Sequence, residues 1–563
     1  MLHANHRNPQ LRELPATLPS QWWEQNILLS HIANDDRYAP LNRIGTLAHV
    51  IGRITPSDGG LGQLPPKVLA SFVEHTGRLS LELHPDDRSK ILPLPLGDGR
   101  QLGPTIAHLL APNLNVLAAR DLAASFSGCA RLGLHDDHLK ESFKAAILAK
   151  SDLFDLPNLA RVVWSHARMG THTAEGLEAL ARAITRQEDG FSPERISMIA
   201  WSFATVNFKD EALLKKLAQE ALKTVDDFQG QSFANLMWSF GKLNQHDHQL
   251  FHRLVESLEQ RIDCLAPQGL ANVVWSLARV EFRHERFLTQ LALRCREKID
   301  SDTGERAPSF RAEELSSLAW SFGALRFRDD ALLDAIAKQT IATIRNFDNQ
   351  GLANIAWAMT SLSRRDDALA NAICSEVSRR GQTFSLRERS ALAWAFSLYH
   401  PEQVAAIYPS AYLSREQEPH HWMQGYIALL VAGEINPHEC APFAAKLSKV
   451  NNHPPTNDFE RAVGDILQTI FPSPEFTVTP HQIVATIATD FVITGRNKRL
   501  IIECDGEFYH RLAGPNGGAP KGADLIQDKL FKRLGYEVFH LPQRDFLSTT
   551  TATLAARLHR FFE

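Results

Sequence analysis

The chain has 563 residues, of which 44% are hydrophobic and 22% are charged, and its formal net charge is −4. This length exceeds what one hydrophobic core serves and predicts two or three domains, while the composition is typical of a folded protein. The near-neutral charge argues against a histone-like polyanion binder but not against a specific one, and any nucleic-acid site must arise from local charge asymmetry.

The six cysteines show no CxxC spacing, which argues against a disulfide framework or a zinc ribbon and favours an intracellular, reducing compartment. No apolar run is long enough to cross a membrane, and Met1–Arg12 lacks the apolar segment of a secretory signal, so we expect no membrane partner. The Ala-, Leu- and Arg-rich composition fits a bacterial protein, in the bacterial cytoplasm or delivered into a host cell. A mitochondrion or chloroplast is the alternative.

Residues 1–111 are rich in proline and glycine and predict an irregular N-terminal region or cap. A helical repeat array is expected from 112 to 400, because tryptophan recurs there every 37 residues, at Trp164, Trp201, Trp238 and Trp275. Trp320, Trp357 and Trp394 continue with the same step after an insertion near Asp300–Ser309. A fixed period of this size indicates stacked supersecondary units.

Each repeat is predicted to be a pair of helices. Counted from the tryptophan, positions −5, −2 and +2 are almost always large and apolar, as in Phe233, Leu236 and Phe240. These positions form one stripe of a helix, and a second amphipathic segment follows after a polar turn. Positions −4 and +3 hold small residues, which lets a neighbouring helix approach closely. The array is therefore expected to be an α-solenoid.

The variable positions −7, −3 and +4 share a face opposite the apolar stripe. Helical repeats of some proteins read one RNA base per unit with two or three such side chains, so we expect this face to contact single-stranded RNA. The alternative is that these residues are simply solvated, as on any exposed helix face. The candidate contacts are Arg161, Arg168, Asn235, Lys242, Asn272, Arg279 and Asn354.

Residues 401–457 are interpreted as the end of the array and a linker, and residues 458–563 as an α/β domain. We expect a helix from Asp458, strands at Ile483–Ile493 and Arg499–Cys504, and a mobile loop at Gly514–Gly522. A helix at Asp524–Leu534 that ends at Gly535, a strand at Tyr536–Leu541 and a helix at Thr551–Phe562 are expected to follow.

Carboxylates converge on two strand ends of this domain. Asp490 and Glu503 are expected at adjacent ends, with Asp505 on the same face and Glu460 on the preceding helix. Such a group binds Mg²⁺ or Mn²⁺ and activates water against a phosphodiester, and Glu460, Asp490 and Glu503 are the candidate metal ligands. The alternative is that Asp490 and Asp505 only punctuate strand ends as turn residues.

Three segments of this domain, quoted together, carry a resemblance: Asp490-Phe-Val-Ile493, Leu500-Ile-Ile-Glu-Cys-Asp-Gly-Glu-Phe-Tyr-His510 and Lys529-Leu-Phe-Lys-Arg-Leu-Gly-Tyr-Glu-Val-Phe-His-Leu-Pro542. Residues 458–563, which contain these segments, resemble a RAP domain. This is an RNA-binding module similar to Vsr-like members of the PD-(D/E)XK nuclease superfamily. RAP domains follow arrays of heptatricopeptide or octotricopeptide repeats of this period. The resemblance implies RNA binding in RNA processing, stability or translation, beside other RNA-processing proteins, and a restriction-endonuclease-like fold.

The resemblance departs from the nucleases at one place. They carry Glu-x-Lys where this chain has Glu503, Cys504 and Asp505, so Lys529 or His510 would have to replace the missing lysine, and His510 is also a candidate RNA contact. The leading hypothesis is thus a sequence-selective RNA-binding protein with a mostly α fold and a small α/β C-terminal domain. The alternatives are a metal-dependent endonuclease guided by the repeats and an α-solenoid protein-interaction scaffold.

Overall fold

The computed structural model of the protein describes residues 31–34, 43–44, 46, 66–89, 91–93, 101–301, 308–415, 418–436, 458–485, 487–505, 512–516 and 518–563. Its contacts divide the chain into two compact units, Met1–Cys264 and Leu265–Glu563. This division falls inside the predicted array, between the repeats of Trp238 and Trp275. The domain boundaries expected from the sequence stay predictions.

The first unit is built from paired helices in two layers. Its helices are α1 (Pro66–Ser80), α2 (Pro85–Arg88), α3 (Leu102–Leu110), α4 (Ala119–Leu132), α5 (Asp137–Ala149), α6 (Leu156–Met169), α7 (Ala174–Thr185), α8 (Pro193–Thr205), α9 (Glu211–Lys223), α10 (Gly230–Lys242) and α11 (His248–Glu259). Helices α1, α4, α6, α8 and α10 stack in that order, and α3, α5, α7, α9 and α11 form the second layer.

The second unit begins with the same arrangement. Its helices are α12 (Pro267–Arg279), α13 (Glu285–Asp300), α14 (Ala312–Ala324), α15 (Asp330–Ala342), α16 (Asn349–Ser361), α17 (Asp367–Arg380), α18 (Leu386–Tyr399), α19 (Val404–Ile407) and α20 (Pro419–Ala432). Helices α12, α14, α16, α18 and α20 stack in sequence, with α13, α15 and α17 as the second layer. The predicted stack of helix pairs is confirmed within each unit. We call the tryptophan-bearing helices, with α4 before them, the first helices.

The first helices, except α18, end in the same way. The residue at +6 has a left-handed backbone in repeat after repeat, at Gly133, Gly170, Asn207, Asn244, Glu281, Arg326 and Ser363. The next N–H then donates to the carbonyl at +2, for example from Phe208 to Phe203 at 3.0 Å, which closes the helix end. At +9 an aspartate usually caps the second helix, as Asp210 accepts from the Leu213 N–H at 2.8 Å.

The predicted close approach of neighbouring first helices is confirmed at the small residues. A Cβ on Gly323 would lie 2.9 Å from the Trp357 ring and 3.2 Å from Cα of Ala358. The Trp357 ring packs in the space that Gly323 leaves, and it stacks at 6.4 Å between centroids on Trp320. In this pair of repeats, the tryptophan therefore packs over the small +3 residue of the repeat before it.

The C-terminal part of the second unit carries a small sheet. Its elements are α21 (Asp458–Ile470), β1 (Phe476–Pro480), β2 (Ile483–Val484), β3 (Ile487–Ala488), β4 (Phe491–Gly495), β5 (Lys498–Asp505), α22 (Gly522–Arg533), β6 (Glu537–Pro542), α23 (Gln543–Ser548) and α24 (Thr551–His559). The strand order is β1-β4-β5-β6, in which only the β5–β6 pair is parallel. The apolar core on one face includes Ile493, Ile502 and Leu554, and that on the other includes Ile501 and Phe531.

Several predicted elements need correction. The single strand expected at Ile483–Ile493 is wrong, because the chain forms the short β2–β3 pair first and β4 begins only at Phe491. Strand β1 and helix α1 were not expected, since prolines flank both. Gly535 does have a left-handed φ of +81° after α22, as predicted. His510, the linker at 451–457 and most of the 300–309 insertion lie outside the described residues.

Candidate functional site

The candidate interface is the exposed face of the first helices. At 100° per residue, positions −7, −3 and +4 lie within about 60° of the tryptophan itself. All seven repeat tryptophans are partly exposed, whereas the neighbouring −2 and +2 side chains are buried. An aromatic ring thus lies beside the polar positions in each repeat. This feature follows from the helical period, but the sequence reasoning treated the tryptophan only as a repeat marker.

Position −3 holds partly exposed polar residues in most repeats. Asn235, Asn272 and Asn354 are all half-buried, and the Gln350 amide donates to Oδ1 of Asn354 at 2.8 Å. The backbone carbonyl at this position is already used, because the serine at +1 donates to it in five repeats (Ser165, Ser202, Ser239, Ser276 and Ser321). At position −3, the side chain and not the backbone carbonyl is therefore the group available to a ligand.

Position +4 is basic in several first helices. Arg168, Lys242 and Arg279 are exposed there, and the guanidinium carbons of Arg168 and Arg279 lie 5.9 Å from the ring centroids of Trp164 and Trp275. Arg131, at the end of α4, is a further basic +4 residue that was not among the candidates from the sequence. Counting one period back from Trp164 to Ser127 and then four residues on would have identified it.

The +4 side chains change character in the last three repeats. They are Ala324, Ser361 and Leu398, which are small or apolar, and the C-terminal part of the second unit covers this end of their helices. Residues 512–516 pair with the turn after α14, where the Arg328 N–H donates to the Ala513 carbonyl at 2.6 Å. Within the loop predicted to be mobile, Gly514–Gly522, the Asn516 N–H donates to the Arg328 carbonyl at 3.3 Å.

Helix α22 crosses the C-terminal ends of three successive first helices. A Cβ on Gly522 would lie 1.6 Å from the Thr360 carbonyl oxygen at the end of α16. Lys529 Nζ donates to the Ser397 and Leu398 carbonyls at the end of α18, both at 3.0 Å. Arg533 lies at the end of α20, with Nη1 3.5 Å from the Val431 carbonyl. Two cations therefore neutralise the negative ends of two helix dipoles.

The carboxylates predicted from sequence gather at the ends of β4 and β5. Asp490 Oδ2 accepts from the Cys504 N–H at 2.6 Å, and burial, followed by repulsion from Asp490, raises the pKa of Glu503 to about 9. Burial and the charges of Asp490, Glu460, Glu503 and Asp505 together raise the pKa of the Cys504 thiol. All four predicted carboxylates thus lie near the end of one strand.

A histidine that was not predicted joins two of the aspartates of this region. His540 Nδ1 lies 3.2 Å from both carboxylate oxygens of Asp505, and Nε2 lies 2.9 Å from Oδ1 of Asp528. These hydrogen bonds raise the pKa of His540 to about 10, so the ring is an imidazolium at neutral pH. His540 thus links α22 to the sheet. The link is possible because β6 runs parallel to β5 and places His540 opposite Glu503.

Protein groups already donate hydrogen bonds to three of these carboxylates. Asp490 and Asp505 are taken up by protein donors, and Glu503, with its raised pKa, accepts from the Gln527 amide at 3.3 Å. Among the described residues, no three His, Cys, Asp or Glu side chains are placed to hold a metal ion. Lys529 serves the end of α18 instead of these carboxylates. The metal and catalytic roles predicted for this set stay predictions.

In the described parts of the chain, no helix is both long and apolar enough to cross a membrane. Comparison with curated proteins gives no match. A family model described as RNA-editing substrate-binding complex 6 protein matches residues 117–306. The matched segment is about a third of the chain and includes the first helices that bear the basic +4 residues. Over that segment, the chain is similar to this RNA-associated family.

Proposed function

We propose that this protein binds single-stranded RNA along the exposed face of its first helices and that the −3 and +4 side chains select the sequence. The observation that carries the proposal is the repetition of this face. Each repeat places one side chain at −3 and one at +4 beside a partly exposed tryptophan. Some helical-repeat proteins read one base per repeat with two or three side chains.

The chemistry of the face supports the proposal. Asparagine and arginine hydrogen-bond to base edges, lysine and arginine bind phosphates, and aromatic rings stack on bases. Similarity to a family whose description names an RNA-editing substrate-binding complex supports an RNA role and further RNA-processing proteins as partners. The element order of the C-terminal part, in which α22 connects the parallel strands β5 and β6, supports the RAP-like interpretation.

The test is selection of RNA ligands from a random single-stranded pool, followed by fluorescence anisotropy. Replacing Asn235, Asn272 and Asn354 together by alanine should weaken binding to the selected RNA much more than to an unrelated one, because base contacts are lost while phosphate contacts remain. Equal affinity of the variant and the parent protein for the selected RNA would overturn the proposed sequence selection.

The matched control carries three alanines at Gln219, Gln249 and Asn371, which are exposed amides on second helices. We expect its affinity and sequence preference to equal those of the parent protein. If the parent protein binds no RNA at all, the RNA proposal fails, and the array is better described as a protein-interaction scaffold.

A metal-dependent endonuclease is the second candidate, and the proximity of Glu503 to Asp490 is the observation that favours it. It predicts RNA cleavage that requires Mg²⁺ or Mn²⁺, stops with EDTA and is lost in Asp490→Ala. The Asp465→Ala variant, which changes an exposed aspartate on the outer side of α21, is the control. Binding without cleavage would leave the carboxylates with a structural role.

A further inference from the structure

Four arginines gather on three neighbouring first-layer helices of the first unit. Arg78 lies in the last turn of α1, Arg131 in the last turn of α4, and Arg161 and Arg168 on α6. Their charges act on one another, because burial first and then repulsion from Arg161 and Arg78 lower the pKa of Arg131. Glu74 is the one opposing charge among the groups that act on Arg131.

Two of the arginines lie against one tryptophan. The guanidinium carbons of Arg131 and Arg168 lie 5.8 and 5.9 Å from the centroid of the partly exposed Trp164 ring. Attraction between a guanidinium and an aromatic ring is weak at this distance, but it holds the flexible arginine side chains in a limited region. The Trp164 ring thus holds two cations of neighbouring repeats on the same side of the layer, although their charges repel each other.

Among the described residues, Glu74 is the one carboxylate that forms an ion pair with this group. Throughout the described parts of the chain, no carboxylate oxygen lies within the 4.0 Å ion-pair distance of Arg131 or Arg168. The ion pair between Arg161 Nη1 and Glu74 Oε1 is long, at 3.4 Å, and the two side chains are 41% and 35% exposed. Such an exposed pair contributes little and is readily exchanged for a better anion.

We propose that Arg131, Arg161 and Arg168, positioned around Trp164, bind a phosphodiester group of single-stranded RNA. Guanidinium groups match the paired oxygens of a phosphate through two parallel hydrogen bonds, and several of them together compensate for their own repulsion by sharing an anion. This site rests on the proposed RNA binding and adds to it a fixed backbone contact at the start of the array. Trp164 acts as a positioning residue.

The test measures the salt dependence of RNA binding by the full chain. Each phosphate contact on a single strand contributes about 0.7 to the slope of log K against log salt. Because the arginines share one phosphate, Arg131→Gln with Arg168→Gln should lower the slope by about 0.7, so that the variant loses about 2.6-fold less affinity than the parent between 50 and 200 mM salt. Binding of selected and unrelated RNA should weaken equally, because a backbone contact reads no sequence.

The matched control is Arg182→Gln with Arg253→Gln, which removes the same charge from exposed arginines of second helices. Its slope should stay close to that of the parent protein. In a second pair of variants, Trp164→Leu should lower the slope and Trp164→Phe should restore most of it, because an aromatic ring is kept. Circular dichroism checks that both are folded.

The outcomes separate the two proposals. A parent protein that binds no RNA overturns both of them. A parent that binds RNA, with an arginine variant whose slope equals that of the control, overturns the phosphodiester site alone. A reduced slope confined to one RNA sequence would also contradict the site, since it would indicate base reading.

Discussion

Lys529 holds α22 against the array. We predict that Lys529→Met destabilises this docking by an amount that can be worked out from the two hydrogen bonds lost. Its ammonium donates two hydrogen bonds of 3.0 Å to carbonyls that end α18 and otherwise lack helical partners. Hydrogen bonds from charged groups contribute about 1.5–3 kcal/mol each. Burial and the nearby Arg533, which lower the pKa of Lys529, oppose this gain. We therefore take about 2 kcal/mol for the pair of bonds.

A loss of about 2 kcal/mol raises the population of the undocked α22 by about 30-fold. Hydrogen exchange of peptides covering Gly522–Arg533 measures this population, because exchange through local opening follows its free energy. The control is Lys532→Met, an exposed lysine of the same helix, for which we expect unchanged exchange. Equal exchange rates in the Lys529 and Lys532 variants would refute the role of Lys529 in docking.

Three further predictions concern stability. In the folded state the pKa of His540 is raised to about 10 and that of Glu503 to about 9. Folding therefore favours the protonated form of both side chains. Stability should therefore fall as the pH rises, from about 4.5 to 9 for Glu503 and from about 6.5 to 10 for His540. Urea midpoints measured across this range should flatten in the corresponding window in Glu503→Gln and His540→Gln. Asp210→Ala removes the cap of α9 and should cost about 1 kcal/mol, seen as a lower urea midpoint, whereas Asp210→Asn should retain most of it. Glu281→Gly relieves a φ of +54° and should stabilise by up to about 1 kcal/mol; a lower midpoint would contradict the strain.

The repeat architecture was predictable because it is local. The spacing of the tryptophans and the small residue at Gly323 follow from the contact of one helix with the next, and this contact recurs every 37 residues. The same count predicts Arg131 once Ser127 is placed in phase. Strand β1 was not predicted because it is a short alternating run that ends at Pro480. The strand predicted at Ile483–Ile493 is interrupted because Ala485, between β2 and β3, has a left-handed backbone.

The placement of the candidate site residues was less predictable. Lys529 is a candidate from the sequence to replace the missing lysine, but where its ammonium lies depends on the docking of α22 against α18, which joins residues 132 positions apart. His540 is an ordinary strand residue in the sequence, and only the parallel pairing of β6 with β5 brings it to Asp505. Long-range contacts of this kind leave no local pattern.

The match between α22 and three successive helix ends limits how the array can lengthen during evolution. Gly522, Lys529 and Arg533 follow the order of α16, α18 and α20, so a duplicated repeat within Ala312–Tyr399 would place a foreign helix end under one of them. A duplication before Ala312 would leave every one of these contacts intact. The number of repeats, and with it the length of ligand that the array spans, can therefore change on the N-terminal side while the C-terminal end stays constant.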